Sequence, residues 1–190
     1  MKKGLLIIIS GPSGVGKGTI RQKIMENNDL NLWFSVSMTT RNIRPGEKDG
    51  REYFFVSKDK FLETLNNGGL LESNQYVSNY YGTPKEKVEE MRAKGYNVLL
   101  EIDVNGAEQV MKAVGKDDIC SIFILPPSID ELEKRIRGRS TETEETIAKR
   151  LAQANKEMAL VKDYRFSVTN DDLDRCAKEI SSIIKNESNK

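Results

Sequence analysis

The sequence predicts an α/β fold in which helices flank a parallel β-sheet core that carries an inserted, smaller mixed α/β lobe. Two observations support this prediction. Short, uniformly apolar runs alternate with amphipathic stretches along the 190 residues, as in sheets covered by helices on both faces. A charged, turn-rich and aromatic stretch interrupts this alternation from about residue 38 to 82. We therefore expect one domain with a mobile substrate lobe.

Five apolar runs are the strand candidates, because each has the length and composition of a strand buried between helices. They are residues 4–9 (GLLIII), 32–37 (LWFSVS), 97–103 (NVLLEID), 119–125 (ICSIFIL) and 166–170 (FSVTN). Cys120 lies inside one of these runs, so we expect it to be a buried and unreactive thiol.

Capping signals and helical spacing mark the helices. In TPKEKVEEMRAKG, Thr83 is the expected N-cap and Pro84 occupies the first turn, while Glu86 completes a capping box. In PSIDELEKRIRG, Ser128 and Glu131 repeat this arrangement. The other predicted helices are the stretch that follows residue 16 and residues 58–68, 142–161 and 173–186.

Composition excludes several classes of function. The net charge is +1, so no overall field favours binding to nucleic acid or to a membrane surface. The chain has no histidine, which excludes Ser-His-Asp hydrolysis, H-E-x-x-H zinc chemistry and a histidine general base. Two cysteines are too few for a disulfide framework. No secretory signal or membrane-spanning run is visible, so we expect a cytoplasmic protein.

The segment GPSGVGKGT has the features of a phosphate-binding loop, because it follows the first apolar run and precedes a helix. Glycines allow successive backbone N–H groups to face phosphate oxygens, and the helix N-terminus adds a favourable dipole. The alternative is a glycine-rich turn with a solvated lysine. The predicted ATP-binding residues here are Gly11, Pro12, Ser13, Gly14, Val15, Gly16, Lys17, Gly18 and Thr19.

Gly18 occupies the position at which the usual motif has a magnesium-binding hydroxyl, and Thr19 supplies a hydroxyl one residue later. The N–H group of Gly18 is retained, and Thr19 can still donate to a phosphate. Because Mg²⁺ keeps several waters and binds substrate phosphates, we expect it mainly on phosphates and water, with no certain protein ligand. Asp103, after an apolar strand, is the nearest candidate acid.

A second cluster, SMTTRNIRPGE, carries Arg41 and Arg44 beside a turn. Two arginines three residues apart on a loop suit bidentate binding of a doubly charged phosphate. Tyr53 and Tyr81 can add hydroxyl donors. The alternative, solvated arginines and core tyrosines, stays open on these residues alone.

Together these segments resemble the guanylate kinase family, P-loop kinases that phosphorylate GMP with ATP. The resemblance spans nearly the whole chain, through LLIIISGPSGVGKGT, SVSMTTRNIRPGEKDGREYFFVS, NYYGTP, LLEIDVNGA, LPPSIDELEKRIRGRSTETEE and VTNDDLD. It implies a P-loop NTPase-type core at residues 1–37 and 90–190, a GMP-binding lobe at 38–89 and a short lid at 135–150.

The resemblance also implies roles for individual residues. Lys17, Arg41 and the arginines of the lid and its following helix would be catalytic, and Asn170 would lie near the adenine of ATP. Those arginines are Arg135, Arg139 and Arg150. The residues expected to bind GMP are Ser37, Glu72, Thr83 and Asp103 at guanine and Arg41, Arg44, Tyr53 and Tyr81 at phosphate, with Glu47 as a supporting acid.

Hydrogen-bond chemistry supports the guanine assignment. Guanine presents two donors, N1–H and the 2-amino group, which an ionised carboxylate such as Glu72 or Asp103 complements. Adenine presents an acceptor there and would leave the carboxylate unpaired. The alternative for Glu72 is a solvated acid at a strand end.

Phosphoryl transfer to a GMP phosphate oxygen needs no general base, which agrees with the missing histidine. We expect ATP and GMP as substrates, with dGMP as a second acceptor, and Mg²⁺ as cofactor. Two alternatives are a scaffold module that binds phosphopeptides and a kinase for another monophosphate; a homo-oligomer also remains open. Retention of the loop glycines and Lys17 favours the enzyme.

Overall fold

The computed structural model describes residues 2–76, 78–138 and 143–190. Within them the strands are β1 (Leu6–Ser10), β2 (Leu32–Phe34), β3 (Met38–Thr39), β4 (Phe54–Phe55), β5 (Leu70–Tyr76), β6 (Asn79–Pro84), β7 (Asn97–Glu101), β8 (Ile119–Leu125) and β9 (Phe166–Thr169). The α-helices are α1 (Lys17–Met25), α2 (Lys58–Asn66), α3 (Lys85–Ala93), α4 (Val104–Val114), α5 (Ile129–Arg137), α6 (Glu144–Met158) and α7 (Leu173–Ser188).

Five strands form the predicted parallel sheet, in the order β2-β7-β1-β8-β9. Alternate residues of the central strand β1 enter different cores, because side chains point to opposite faces of a sheet. Ile7 and Ile9 pack with residues of α1 and α7, while Leu6 and Ile8 pack with residues of α3 and α4. The α/β fold is confirmed, and its central strand ends at the glycine-rich loop.

The inserted stretch forms a second sheet in the order β4-β3-β6-β5. This sheet is mixed, because β3 runs parallel to β4, whereas β6 runs antiparallel to both β3 and β5. Phe61 of α2 is fully buried and stacks on Tyr80 of β6, with 5.4 Å between ring centroids. This contact fixes the helix on the small sheet.

The prediction of a capping box at Thr83 is wrong. The N-cap of the helix is Pro84, and the helix starts at Lys85. The Thr83 hydroxyl instead donates to the Glu72 carboxylate at 2.6 Å, inside the protein. A hydroxyl held by a buried acid is not available to cap a helix.

Helix α4 was not predicted from the sequence. Its N-cap is Asp103, whose Oδ1 atom accepts from the Gly106 N–H group at 2.7 Å. Its buried apolar residues Val104, Ala107 and Val110 recur every three positions on the face that meets the sheet. This helix places Asp103, together with the first turn of α4, next to the edge strand β5.

Both cysteines are buried, as predicted for Cys120. Burial raises the pKa of the Cys120 thiol to about 12 and that of Cys176 to about 11. Across the described ranges, no helix combines the length and apolar character needed to cross a bilayer.

Candidate active site

The glycine-rich loop connects the central strand β1 to helix α1, which starts at Lys17. Gly16 has a φ of 98°, a conformation that favours glycine, and a Cβ atom there would lie 2.8 Å from the Asn170 amide nitrogen. The loop lines a cavity of about 400 Å³ that also includes Thr19 and Glu101. Backbone N–H groups at a helix N-terminus make this cavity suitable for phosphate.

Lys17 lies within the loop, where its ammonium group donates to the carbonyl oxygens of Gly11 at 2.6 Å and Pro12 at 3.2 Å. Asn170 is also buried against the loop, and its amide donates to the carbonyl oxygen of Val15 at 2.8 Å. Asn170, predicted to lie near adenine, therefore also supports the phosphate loop from behind.

Two of the three predicted lid-region arginines border this loop. Arg150 donates to the Ser13 hydroxyl at 2.9 Å, and Arg135 donates to the carbonyl oxygen of Asn170 at 3.1 Å. Arg139 lies outside the described residues. Arg150 of α6 thus contacts the loop itself, and Arg135 of α5 contacts Asn170, which supports the loop.

The predicted guanine site centres on Glu72, which is only 8% exposed. Burial raises the pKa of Glu72 to about 7; the hydrogen bond from Thr83 opposes the rise and the charge of Asp103 adds to it. Ser37, Glu72 and Asp103 line one cavity of about 180 Å³, the predicted guanine cavity. The structure therefore brings these acids together, with Thr83 behind Glu72.

Asp103 is held in place by two donors. Its Oδ1 atom accepts from the N–H group of Gly106, and its Oδ2 atom accepts from the Asn74 amide at 2.9 Å. Asn74 was not predicted from the sequence. It lies two residues after Glu72 on the same strand and lines the same cavity.

The predicted phosphate-binding residues surround Arg41. Its guanidinium forms a two-point pair with Glu47, at 2.8 and 3.0 Å, and lies over the Tyr53 ring at 5.5 Å from the centroid. The pair raises the pKa of Arg41 and lowers the pKa of Glu47. The rings of Tyr53 and Tyr81 are in edge contact, and both line the guanine cavity. Arg44 contributes its backbone N–H to Glu47, and its side chain is exposed.

Glu101 is a further candidate that sequence analysis missed. It ends β7 and borders both the phosphate-loop cavity and the guanine cavity. Its carboxylate accepts from Arg21 at 2.7 Å, and Arg21 lies over the Phe34 ring at 4.3 Å. The signal was an acid at the end of an apolar strand, and the same argument had selected Asp103 instead.

Hard oxygen donors are available for a magnesium ion at the phosphate loop. A Cβ atom at Gly18 would lie 3.5 Å from Glu101 Oε1, and the Thr19 hydroxyl borders the same cavity. Among the described residues, no group of three or more His, Cys, Asp or Glu side chains converges on a metal position. This donor set fits Mg²⁺ that keeps water and phosphate ligands.

Comparison with known proteins agrees with this arrangement. The family model for guanylate kinase matches residues 3–187. The guanylate kinase of Clostridioides difficile is 50% identical over 190 residues, covering 100% of this chain and 91% of that protein. That of Streptococcus thermophilus is 49% identical over 186 residues, covering 98% and 88%. The crystal structure of Anaplasma phagocytophilum guanylate kinase superposes with a TM-score of 0.78 at 34% identity, covering 100% of this chain and 88% of that one.

A match along almost the whole chain, on a fold that sets a phosphate loop beside a carboxylate-lined cavity, shows the family. The chain belongs to the guanylate kinase family, and it is an ATP:GMP phosphotransferase that forms GDP.

Proposed function

We propose that transfer to GMP is direct and in line, without a covalent enzyme intermediate, and that dGMP is a second acceptor. The observation that carries the proposal is the position of Glu101, which borders both the phosphate-loop cavity and the guanine cavity. Two nucleotides bound in adjoining cavities can meet at their phosphates. The attacking oxygen of GMP is already ionised at neutral pH, so no protein base is needed.

On the acceptor side, Glu72 and Asp103 accept hydrogen bonds from the donors of the guanine edge, with Ser37 and Thr83 beside them. Arg41, Arg44, Tyr53 and Tyr81 bind the GMP phosphate. Glu47 orients Arg41, because its carboxylate already engages both guanidinium nitrogens. No residue assigned here selects for a ribose 2′-hydroxyl, which supports dGMP as an acceptor.

On the donor side, residues 11–19 hold the ATP phosphates, and Lys17 balances their charge. Arg135, Arg139 and Arg150 stabilise the charge on the transferring phosphoryl group. Mg²⁺, when bound, neutralises phosphate charge at this loop. Glu101 and Thr19 would hold it in preference to Asp103, because both border the phosphate-loop cavity, whereas Asp103 lines the guanine cavity.

We further propose that the lobe at residues 38–89 and the lid at 135–150 close over the core at 1–37 and 90–190. Closure excludes water, so that the γ-phosphate passes to GMP rather than to solvent. The contact of Arg150 with the loop residue Ser13 supports this role, because it already bridges the lid end and the phosphate loop.

The test is a panel of acceptors. ADP formation is measured with ATP, Mg²⁺ and each nucleoside monophosphate in turn. We expect turnover with GMP and dGMP and little with AMP, CMP or UMP, because only guanine presents two donors to the acids. Absence of turnover with dGMP would contradict the proposal that dGMP is a second acceptor. Equal use of AMP would contradict the proposed role of Glu72 and Asp103.

A further inference from the structure

The two acids proposed to recognise guanine belong to different elements. Glu72 lies on β5, the edge strand of the small sheet, whereas Asp103 caps α4 on the parallel core. Two carboxylates can match the two adjacent donors of guanine only at a fixed separation. Some contact must therefore hold β5 against α4.

A side chain of α4 completes the edge of β5. The Gln109 amide donates to the carbonyl oxygen of Ser73 at 3.0 Å, and its oxygen accepts from the Ser73 N–H group at 3.1 Å. An edge strand leaves such backbone groups without a strand partner. Gln109 satisfies both groups at once, at the residue that directly follows Glu72.

Asn74 makes a second link one residue further on. Side chains two apart on a strand share a face, so Asn74 and Glu72 both face α4. The Asn74 amide donates to Asp103 Oδ2 at 2.9 Å. The approach is so close that a Cβ atom at Gly106 would lie 2.9 Å from Glu72 Oε2. A side chain at position 106 would displace the Glu72 carboxylate from its present position.

We propose that Asn74 and Gln109 are positioning residues of the guanine site, which lock β5 on the first turns of α4 and so fix Glu72 relative to Asp103. This inference rests on the proposed role of the two acids. Asn74 acts directly on the Asp103 carboxylate. Gln109 acts indirectly, because it binds the backbone of Ser73, the residue that follows Glu72 on β5.

The experiment is steady-state kinetics of Asn74→Ala and Gln109→Ala with GMP and with IMP, which lacks the 2-amino group. We expect KM for GMP to rise about tenfold in Asn74→Ala, which loses a hydrogen bond to a charged group, and about threefold in Gln109→Ala. The kcat and the KM for ATP stay within about twofold of wild type, because the phosphate loop is untouched. The preference for GMP over IMP falls, because the fixed pair of acids matches both guanine donors and IMP lacks one of them, the 2-amino group.

Lys112→Ala is the matched control, because Lys112 is exposed on α4 and pairs with Glu108 of the same helix. The Lys112→Ala variant should leave kcat and the KM values for GMP, IMP and ATP unchanged. Gln109 is also exposed, so its variant keeps the fold, which a melting curve checks. Unchanged KM for GMP in both variants, or an equal loss of kcat and of ATP affinity, overturns the positioning role while the proposed function stands. If the wild-type enzyme shows no preference for GMP over IMP and AMP, that result contradicts the recognition of guanine by the two acids. The positioning role of Asn74 and Gln109 is then contradicted as well.

Discussion

At the residue scale, Glu72 combines burial with a neighbouring negative charge, and both features favour its protonated form. Burial is the larger cause of a pKa near 7, and the charge of Asp103 adds to it. The two guanine groups proposed to meet Glu72 and Asp103, N1–H and the 2-amino group, are both donors, so they bind the ionised carboxylate. The affinity for GMP must therefore depend on pH in the range in which Glu72 titrates.

We predict that KM for GMP rises about tenfold between pH 8 and pH 6, because roughly one-tenth of a carboxyl with a pKa near 7 is ionised at pH 6. The GMP phosphate also titrates near pH 6, and Glu72→Gln separates the two effects. This variant binds GMP more weakly at every pH, and its KM retains only the shallow pH dependence that comes from the GMP phosphate. Identical profiles for the variant and the wild type would contradict the titration of Glu72.

Lys17 offers a second prediction at this scale. Lys17→Ala should lower kcat about 10²–10³-fold, because it removes a charge directed at the transferring phosphates. The fold should survive, because the hydrogen bonds from the ammonium group to the carbonyl oxygens of Gly11 and Pro12 stay within its own loop. Circular dichroism and a melting curve test the fold, and coupled ADP detection tests the rate.

Lys23→Ala is the matched control, because Lys23 lies on the same helix and pairs with Glu26 and Asp174 at the surface. It should retain wild-type kcat. A Lys17→Ala enzyme as active as this control would show that the glycine-rich loop does not serve ATP.

At the scale of elements, the apolar runs predicted the strands of the parallel sheet, and residues 119–125 match β8 at both ends. Local sequence was informative there because a strand buried on both faces is apolar throughout. Helix α4 was missed, because Asn105 and Gly106 weaken the helical signal in its first turn. The cap at Thr83 was predicted wrongly because its true partner, Glu72, lies on another strand.

The candidate site shows the same division between local and long-range signals. The glycine-rich loop and the loop that carries Arg41 and Arg44 (the arginine loop) could be selected as candidates from the sequence, because each is a contiguous segment with its own chemistry. Asn74, Gln109 and Glu101 were not, since each acts across a boundary between elements that only the folded chain creates. An amide side chain on a strand or helix carries no signal of its own in a single sequence.

The phosphate loop itself supplies a prediction about magnesium. A side chain at position 18 meets Glu101 at an ordinary contact distance of 3.5 Å, so the loop can accept one. Gly18→Ser adds a hydroxyl ligand and should lower the Mg²⁺ concentration at half-maximal activity several-fold. Gly18→Ala is the control, because it adds the Cβ atom without the hydroxyl. Equal Mg²⁺ dependence in both variants would show that the hydroxyl has no effect.

At the scale of the whole molecule, the cavity proposed for guanine lies between the parallel core and the small mixed sheet, and α4 contacts both. The proposed closure must therefore move the outer part of the lobe around β3, β4 and the arginine loop. We expect the contacts of Gln109 and Asn74 to keep β5 next to α4 during that movement.

Small-angle scattering tests the closure. A compact chain of this length has a radius of gyration of about 16 Å. We expect this radius to decrease when GMP and a non-hydrolysable ATP analogue are both present, because each substrate engages a different moving segment. CMP in place of GMP is the control and should give a smaller decrease, because only the segment engaged by the ATP analogue then closes. An unchanged radius with both substrates contradicts the proposed closure.

The two cysteines have a consequence for how the enzyme meets oxidative stress. Cys120 and Cys176, the chain's whole complement of thiols, are buried, and at neutral pH almost none of either is in the reactive thiolate form. Peroxide and alkylating reagents attack the thiolate and need access to it. The folded enzyme therefore offers such reagents no reactive thiolate, and we expect GDP synthesis to continue where enzymes with exposed cysteines lose activity through thiol modification.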